Sequence, residues 1–155
     1  MEQPKFYYRK IVLANTLILF FFILDRIFKK FSLTGTTKNI FLFEFSLWEN
    51  SGIAFSIPIQ GIFFYFLLGV IFYLVVFYLI KSYRQRKIIK IFSLTLILVG
   101  GLSNLLDRLN YGVVIDYINF LSLTAFNLAD LMILVGVAIL IRKLILTNQK
   151  IKIRI

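Results

Sequence analysis

Residues 61–80, GIFFYFLLGVIFYLVVFYLI, hold twenty side chains and no charge. As a helix this run is about 30 Å long, enough to cross the hydrocarbon core of a bilayer. Inside a bilayer a chain must satisfy its own backbone polar groups, so a helix is the form such a run takes. The fold is therefore that of a membrane protein, and the rest of the chain is read outward from this span.

Just past it lie Lys81, Arg84, Arg86, Lys87 and Lys90, and then a second long apolar run. Towards the N-terminus, Lys5, Arg9 and Lys10 precede an uncharged run from Ile11 to Leu24. This start resembles a secretory signal peptide. However, Asp25, Arg26, Ile27, Phe28, Lys29 and Lys30 follow in place of a small-residue cleavage site, so an uncleaved first span is expected. The reading is a membrane all-α fold, one integral domain over 1–155. Four transmembrane helices are expected at about 11–31, 61–80, 88–106 and 125–146. A small extracytoplasmic β element is expected within about 32–60, where Ile40 to Trp48 is rich in strand-favouring residues.

Charge sets the orientation. The N-terminus, the 81–90 loop and the C-terminus are basic, whereas 32–60 has only Lys38 against Glu44 and Glu49, and 109–124 has no basic residue. The positive-inside rule places both termini in the cytoplasm. It also accounts for the net charge of +11 as basic flanks of apolar runs rather than a nucleic-acid surface. The chain has no Cys and no His, which excludes disulfides, thiol nucleophiles, Ser-His-Asp triads and His- or Cys-based metal sites. Acid–base chemistry falls to carboxylates.

With that orientation, groups far apart in sequence meet in one extracytoplasmic layer. Asp25 ends the first span, Asp107 and Arg108 end the third, Asp130 begins the fourth, and Asp116 lies between the last two. Charges at such positions are costly, on the order of 2.5–3.5 kcal/mol each at a helix centre. Asp25 and Lys29, four apart, suit a structural ion pair. Asn104, Asp107 and Arg108 share a helix face, with an Asp107–Arg108 structural pair expected. Asn127 suits a helix cap and Asp130 a first-turn acid. Gly100 and Gly101 suit close helix packing.

If Asp116 and Asp130 meet in a low-dielectric cleft, they cannot easily both ionise, and one shared proton makes an acid and a base of the pair. Such a pair activates water against an amide carbonyl and then protonates the leaving nitrogen. Arg108 and the Asn side chains would hold substrate carbonyls or orient the pair. On residue chemistry alone, a proton- or ion-coupled transport site and a non-catalytic scaffold stand beside this reading.

The ordered motifs narrow it. Asp25-x-x-x-Lys29, Asn50-x-Gly52-x-Ala54-Phe55-Ser56, Gly100-Gly101-x-x-Asn104-x-x-Asp107-Arg108, Gly112-x-Val114-x-Asp116-Tyr117 and Phe126-Asn127-x-Ala129-Asp130 run through nearly the whole chain. Together they resemble the lipoprotein signal peptidases (signal peptidase II), the bacterial membrane aspartyl proteases. The resemblance implies Asp116 and Asp130 as the catalytic pair. It implies Asn50, Gly52, Asn104, Arg108 and Asn127 as the substrate-binding set, with Asp25, Lys29 and Asp107 in support. It implies a prolipoprotein substrate cut on the N-terminal side of a diacylglyceryl-modified Cys, and a β platform at the surface of the bacterial cell membrane. No metal or organic cofactor is expected, globomycin-like peptides should compete, and a monomer in contact with membrane lipid is expected. Ser103 stands where the family usually has Gly, and Leu131 where it usually has a small polar residue. Leu123-Thr124-Ala125 replaces its aromatic-Pro approach. The segment between Asp116 and Asp130 is shorter than the family's covering helix, so a trimmed lid is expected.

Overall fold

In a computed structural model, which describes residues 4–52, 61–121 and 123–152, four long helices carry a small sheet at one end. The elements run α1 (Pro4–Ser32), β1 (Lys38–Ile40), β2 (Phe43–Asn50), α2 (Ile62–Arg84), α3 (Ile88–Tyr111), β3 (Val114–Phe120), β4 (Thr124–Phe126) and α4 (Leu128–Lys152). Ala54, Phe55 and Ser56 of the second motif lie outside the described residues.

The helices differ in how they meet their surroundings. In α2 only Phe64 and Ser82 are buried, and aromatic and aliphatic side chains cover its outside. A helix apolar all round belongs in lipid. Among the described residues, three helices, α1, α2 and α3, are long and apolar enough to cross a membrane. α3 is the central one, with α1, α2 and α4 packed against it. It carries a polar stripe of buried Ser93, Ser103, Asn104 and Asp107. It runs a turn beyond the apolar stretch and ends at Gly112, whose left-handed φ of 77° lets its amide N–H cap the Arg108 carbonyl at 3.0 Å.

Gly100 of α3 packs on the backbone of α4, and Gly101 faces Phe72 of α2, so the adjacent glycines serve two interfaces. A Cβ on Gly100 would sit 2.6 Å from the Ala129 carbonyl oxygen, and one on Gly136 would sit 2.7 Å from that of Ser93. A neighbouring helix backbone cannot step aside locally. Gly100→Ala and Gly136→Ala are each expected to lower stability by about 1–3 kcal/mol, read as a fall in melting temperature in detergent.

The sheet has the order β1-β2-β3-β4, antiparallel throughout. Its first two strands fall within 32–60 as expected. The other two come from 114–126, so the connection between α3 and α4 supplies half of the sheet. This hairpin occupies the place where the family resemblance implies a covering helix. α4 begins at Leu128, later than the apolar run suggests, because Thr124–Phe126 pair with β3. β3 is the buried strand, with Val114, Ile115, Asp116 and Tyr117 all enclosed. A register shift in β2 between Phe45 and Trp48 sets Trp48 opposite Asp116.

Candidate active site

Two connected layers of polar groups lie where the sheet meets the ends of α1, α3 and α4. The deeper layer is a charge cluster. Lys29, only 1 % exposed, places Nζ 3.0 Å from Asp25 Oδ2, 2.7 Å from Asp107 Oδ2 and 2.9 Å from Asn104 Oδ1. Arg26 pairs with the other oxygen of Asp107 at 2.5 Å. Asp25 also accepts from Ser103 Oγ (2.6 Å), the Tyr117 hydroxyl (3.0 Å) and the Ala129 amide (3.2 Å). Two carboxylates and two cations thus balance, and the buried charges have the hydrogen bonds that burial demands. Burial, followed by the charge of Asp25, pushes the Tyr117 phenol well above its ordinary value, so it stays a neutral O–H donor.

The expected Asp25–Lys29 pair is present. The expected Asp107–Arg108 pair is corrected: Asp107 turns to Arg26 and Lys29. Adjacent residues on a helix point about 100° apart, so Asp107 faces α1 while Arg108 faces elsewhere. Arg108 instead donates to the Gly52 carbonyl at 2.9 Å, and its guanidinium lies 5.2 Å from the centre of the Phe64 ring.

The upper layer holds Asp116 and Asp130. Asp116, on β3, is fully buried, and Asp130, in the first turn of α4, is half-buried. Three asparagines face them with a common logic. Asn50 accepts the Gly52 N–H on its oxygen, which aims its amide nitrogen at Asp116 Oδ2, 3.0 Å away. Asn127 accepts the Asp130 N–H on its oxygen and donates to Asp116 Oδ1 at 2.6 Å. Asn104 accepts from Lys29 and Asn127 on its oxygen and donates to Asp130 Oδ1 at 2.7 Å. Each amide is locked at its oxygen by a donor, so each presents N–H to a carboxylate.

The fourth carboxylate oxygen, Asp130 Oδ2, accepts the Asn127 backbone N–H at 3.2 Å. With the Asn127 side chain bonded back to the Asp130 amide, this is a reciprocal capping box at the start of α4. The cap and the carboxylate site are therefore one object. Burial first, and the charge of Asp130 second, push Asp116 up to about 6, against the pull of Asn50 and Asn127. A carboxylate titrating there can hold or release a proton near neutral pH.

The structure thus brings together all ten residues singled out from the sequence, in two layers: Asn50, Gly52, Asn104, Arg108, Asp116, Asn127 and Asp130 above, with Asp25, Lys29 and Asp107 below. Sequence reasoning gave no role to Arg26, Ser103 or Tyr117. Ser103 had a signal, since it stands four before Asp107 and so shares its face; Tyr117 closes the motif Gly112-x-Val114-x-Asp116-Tyr117, and Arg26 had no signal beyond adjacency to Asp25.

The family model described as signal peptidase II matches residues 17–146. A lipoprotein signal peptidase of Streptococcus thermophilus is 38% identical over 103 residues, covering 64% of this chain and 67% of that protein. One from Buchnera aphidicola subsp. Acyrthosiphon pisum is 35% identical over 140 residues, covering 82% of this chain and 88% of that protein. Among solved structures, a bacterial membrane enzyme determined at 1.9 Å superposes with a TM-score of 0.73 at 25% identity, over 86% of this chain and 93% of its own. A second, determined at 2.3 Å, has a TM-score of 0.76 at 21% identity, over 90% of this chain and 92% of its own, and speaks for the fold.

Proposed function

The chain belongs to the signal peptidase II family, and from that premise we propose that it is an aspartic endopeptidase whose working pair is Asp116 and Asp130. It is a bacterial membrane protein that removes signal peptides from lipoproteins. The observation that supports the aspartic reading is the set of three locked asparagine amides, each donating N–H to an oxygen of one of the two carboxylates. One proton is shared by the pair. The ionised member takes a proton from water as that water attacks the scissile carbonyl, and the protonated member then supplies the leaving nitrogen. Asn104 and Asn127 orient the pair from below, and Asn50 does so from the sheet. Arg108, by holding the Gly52 carbonyl, fixes the strand end from which Asn50 reaches Asp116. Asp25, Lys29 and Asp107 form the charged floor.

The substrate in this reading is a precursor whose Cys carries diacylglycerol, cut on the N-terminal side of that Cys. α4 is the fourth membrane crossing: residues 131–141 are uncharged, with Arg142 and Lys143 at one end. It packs closely on α3 through Gly100 and Gly136. Both termini then lie in the cytoplasm and the carboxylates near the opposite face. The chain works as a monomer surrounded by lipid, and peptides of the globomycin type compete at the pair. The test is purified protein with a diacylglyceryl-modified precursor and, in parallel, the same precursor with the Cys replaced by Ser. Product masses that place the cut before the lipidated Cys, with the Ser precursor untouched, are expected. Equal cleavage of both, or a cut elsewhere, overturns the substrate reading.

A further inference from the structure

A helix leaves its first four amides without partners inside itself. In α4 the capping box of Asn127 and Asp130 satisfies two of them. The other two reach outside the helix. The Leu128 N–H donates to the Tyr117 hydroxyl at 3.0 Å, and the Ala129 N–H donates to Asp25 Oδ1 at 3.2 Å. That same Asp25 oxygen accepts the Tyr117 O–H at 3.0 Å. The end of α4 that carries Asp130 is therefore docked on a phenol from β3 and a carboxylate from α1, and these two are docked on each other.

Tyr117 is held where it stands. It is 1 % exposed, and its ring lies between those of Phe28 of α1 and Phe45 of β2, each 5.6 Å away centre to centre. It directly follows Asp116 along β3, and Leu128 and Ala129 directly precede Asp130. One hydroxyl thus ties the backbone beside one carboxylate to the backbone beside the other. A Phe would fill the same space but leave the Leu128 N–H without its acceptor and Asp25 short of a donor.

We propose that Tyr117 is a positioning residue, whose hydroxyl sets the separation of Asp116 and Asp130 by holding the start of α4 to β3 and Asp25. This rests on the reading that Asp116 and Asp130 are the working pair. Alignment matters there, since a misplacement of about 1 Å costs on the order of 10²-fold in rate.

Tyr117→Phe is compared with the wild type in kcat, KM and pH profile on a diacylglyceryl-modified precursor. The charged groups around Asp116 are Asp130 of α4, Lys29 of α1 and Arg108 of α3. The substitution removes none of them, so a moved alkaline limb reports a changed separation. The expected result is a kcat lower by about tenfold or more with KM little changed. The alkaline limb is expected to move to lower pH, because an Asp130 that has eased away raises Asp116 less. Wild-type kcat with the limb in place overturns the proposal. So does a rate that falls only in step with the folded fraction, limb unmoved, since the hydroxyl is then a stabilising contact alone. Leu128→Pro breaks the same hydrogen bond from its other side and leaves the hydroxyl on Asp25. Pro suits the first position of a helix, so this variant is expected to fold even where Tyr117→Phe does not. Its kcat and limb are expected to shift in the same direction, and wild-type kinetics in the folded variant overturn the proposal. Asp116→Asn and Asp130→Asn are run alongside. If either cleaves near-normally, the pair falls and the role of Tyr117 with it. If both are inactive while Tyr117→Phe and Leu128→Pro match the wild type, the role of Tyr117 alone falls.

Discussion

Asp116→Asn and Asp130→Asn each give a folded protein that releases signal peptide about 10⁴-fold more slowly than the wild type, or not at all. An amide can neither take a proton from the attacking water nor pass one to the leaving nitrogen, so one substitution disables both halves of the cycle. The two losses should not add in the double variant, because the pair acts as a unit. Folding should survive. Asp116 binds a proton more tightly in the folded chain than in the unfolded one, its value being raised from 3.8 to about 6. Its contribution to stability is present below the ordinary value and is lost as pH rises through about 6. Asn carries no such charge, but its amide nitrogen faces one of the N–H groups of Asn50 and Asn127; the two effects oppose, so at neutral pH Asp116→Asn is expected to stay folded and to melt close to the wild type. Activity is checked by gel shift of the precursor and folding by thermal melting. Near-normal cleavage by either variant removes the dyad from the account.

Lys29→Met is expected to have the largest effect on stability. It leaves Asp25 and Asp107 buried without the cation that lies between them, a defect of about 3–5 kcal/mol. For a chain of this size that is a fall in melting temperature of roughly 10 °C. It also frees the Asn104 oxygen from the donor at 2.9 Å, so the amide that faces Asp130 loses an anchor and cleavage falls as well. Removing the opposite charge together with Lys29 separates electrostatics from packing. Asp25→Asn combined with Lys29→Met leaves the Arg26–Asp107 pair intact. An Asn there can still accept from Tyr117 and Ala129 while donating to Ser103. The double variant should therefore melt above Lys29→Met alone. If Lys29→Met melts with the wild type, the charged floor contributes nothing to the fold.

Much of this is legible in the sequence, and the reasons are physical. Uncharged runs of about twenty residues mark helices by length alone, and basic flanks order them, so the layer that gathers Asp25, Asp107, Asp116 and Asp130 follows from sequence. Spacings of three and four residues report on one helix face, which is why the Asp25–Lys29 pair and the Asn127–Asp130 cap could be read. Pairing between distant strands leaves no such local mark. Nothing in Val114–Phe120 says that it lies between β2 and β4, and the hairpin in place of a covering helix was accordingly not anticipated. The Asp107–Arg108 reading failed because it took sequence neighbours for spatial ones. The locked amides were out of reach for another reason: the direction of an Asn side chain is fixed by donors on other elements, here Lys29 of α1, the Gly52 amide after β2 and the Asp130 amide of α4. Phe41 and Leu121, at φ 54° and 50°, carry none of the Gly or Asn signals that mark a left-handed residue.

The central claim is that a carboxylate pair sharing one proton does the chemistry, and the pH dependence of kcat/KM on a lipidated precursor tests it most directly. The chain has no His and no Cys, so side chains other than perturbed carboxylates do not ordinarily titrate between pH 5 and 8. The expected profile is a bell. Its alkaline limb lies near 6, where Asp116 is held by burial and by the charge of Asp130, and its acid limb appears where the second carboxyl takes up its proton. A rate that is flat from acid to alkaline pH, or that rises to an alkaline plateau, would contradict it and hand the chemistry to a different group.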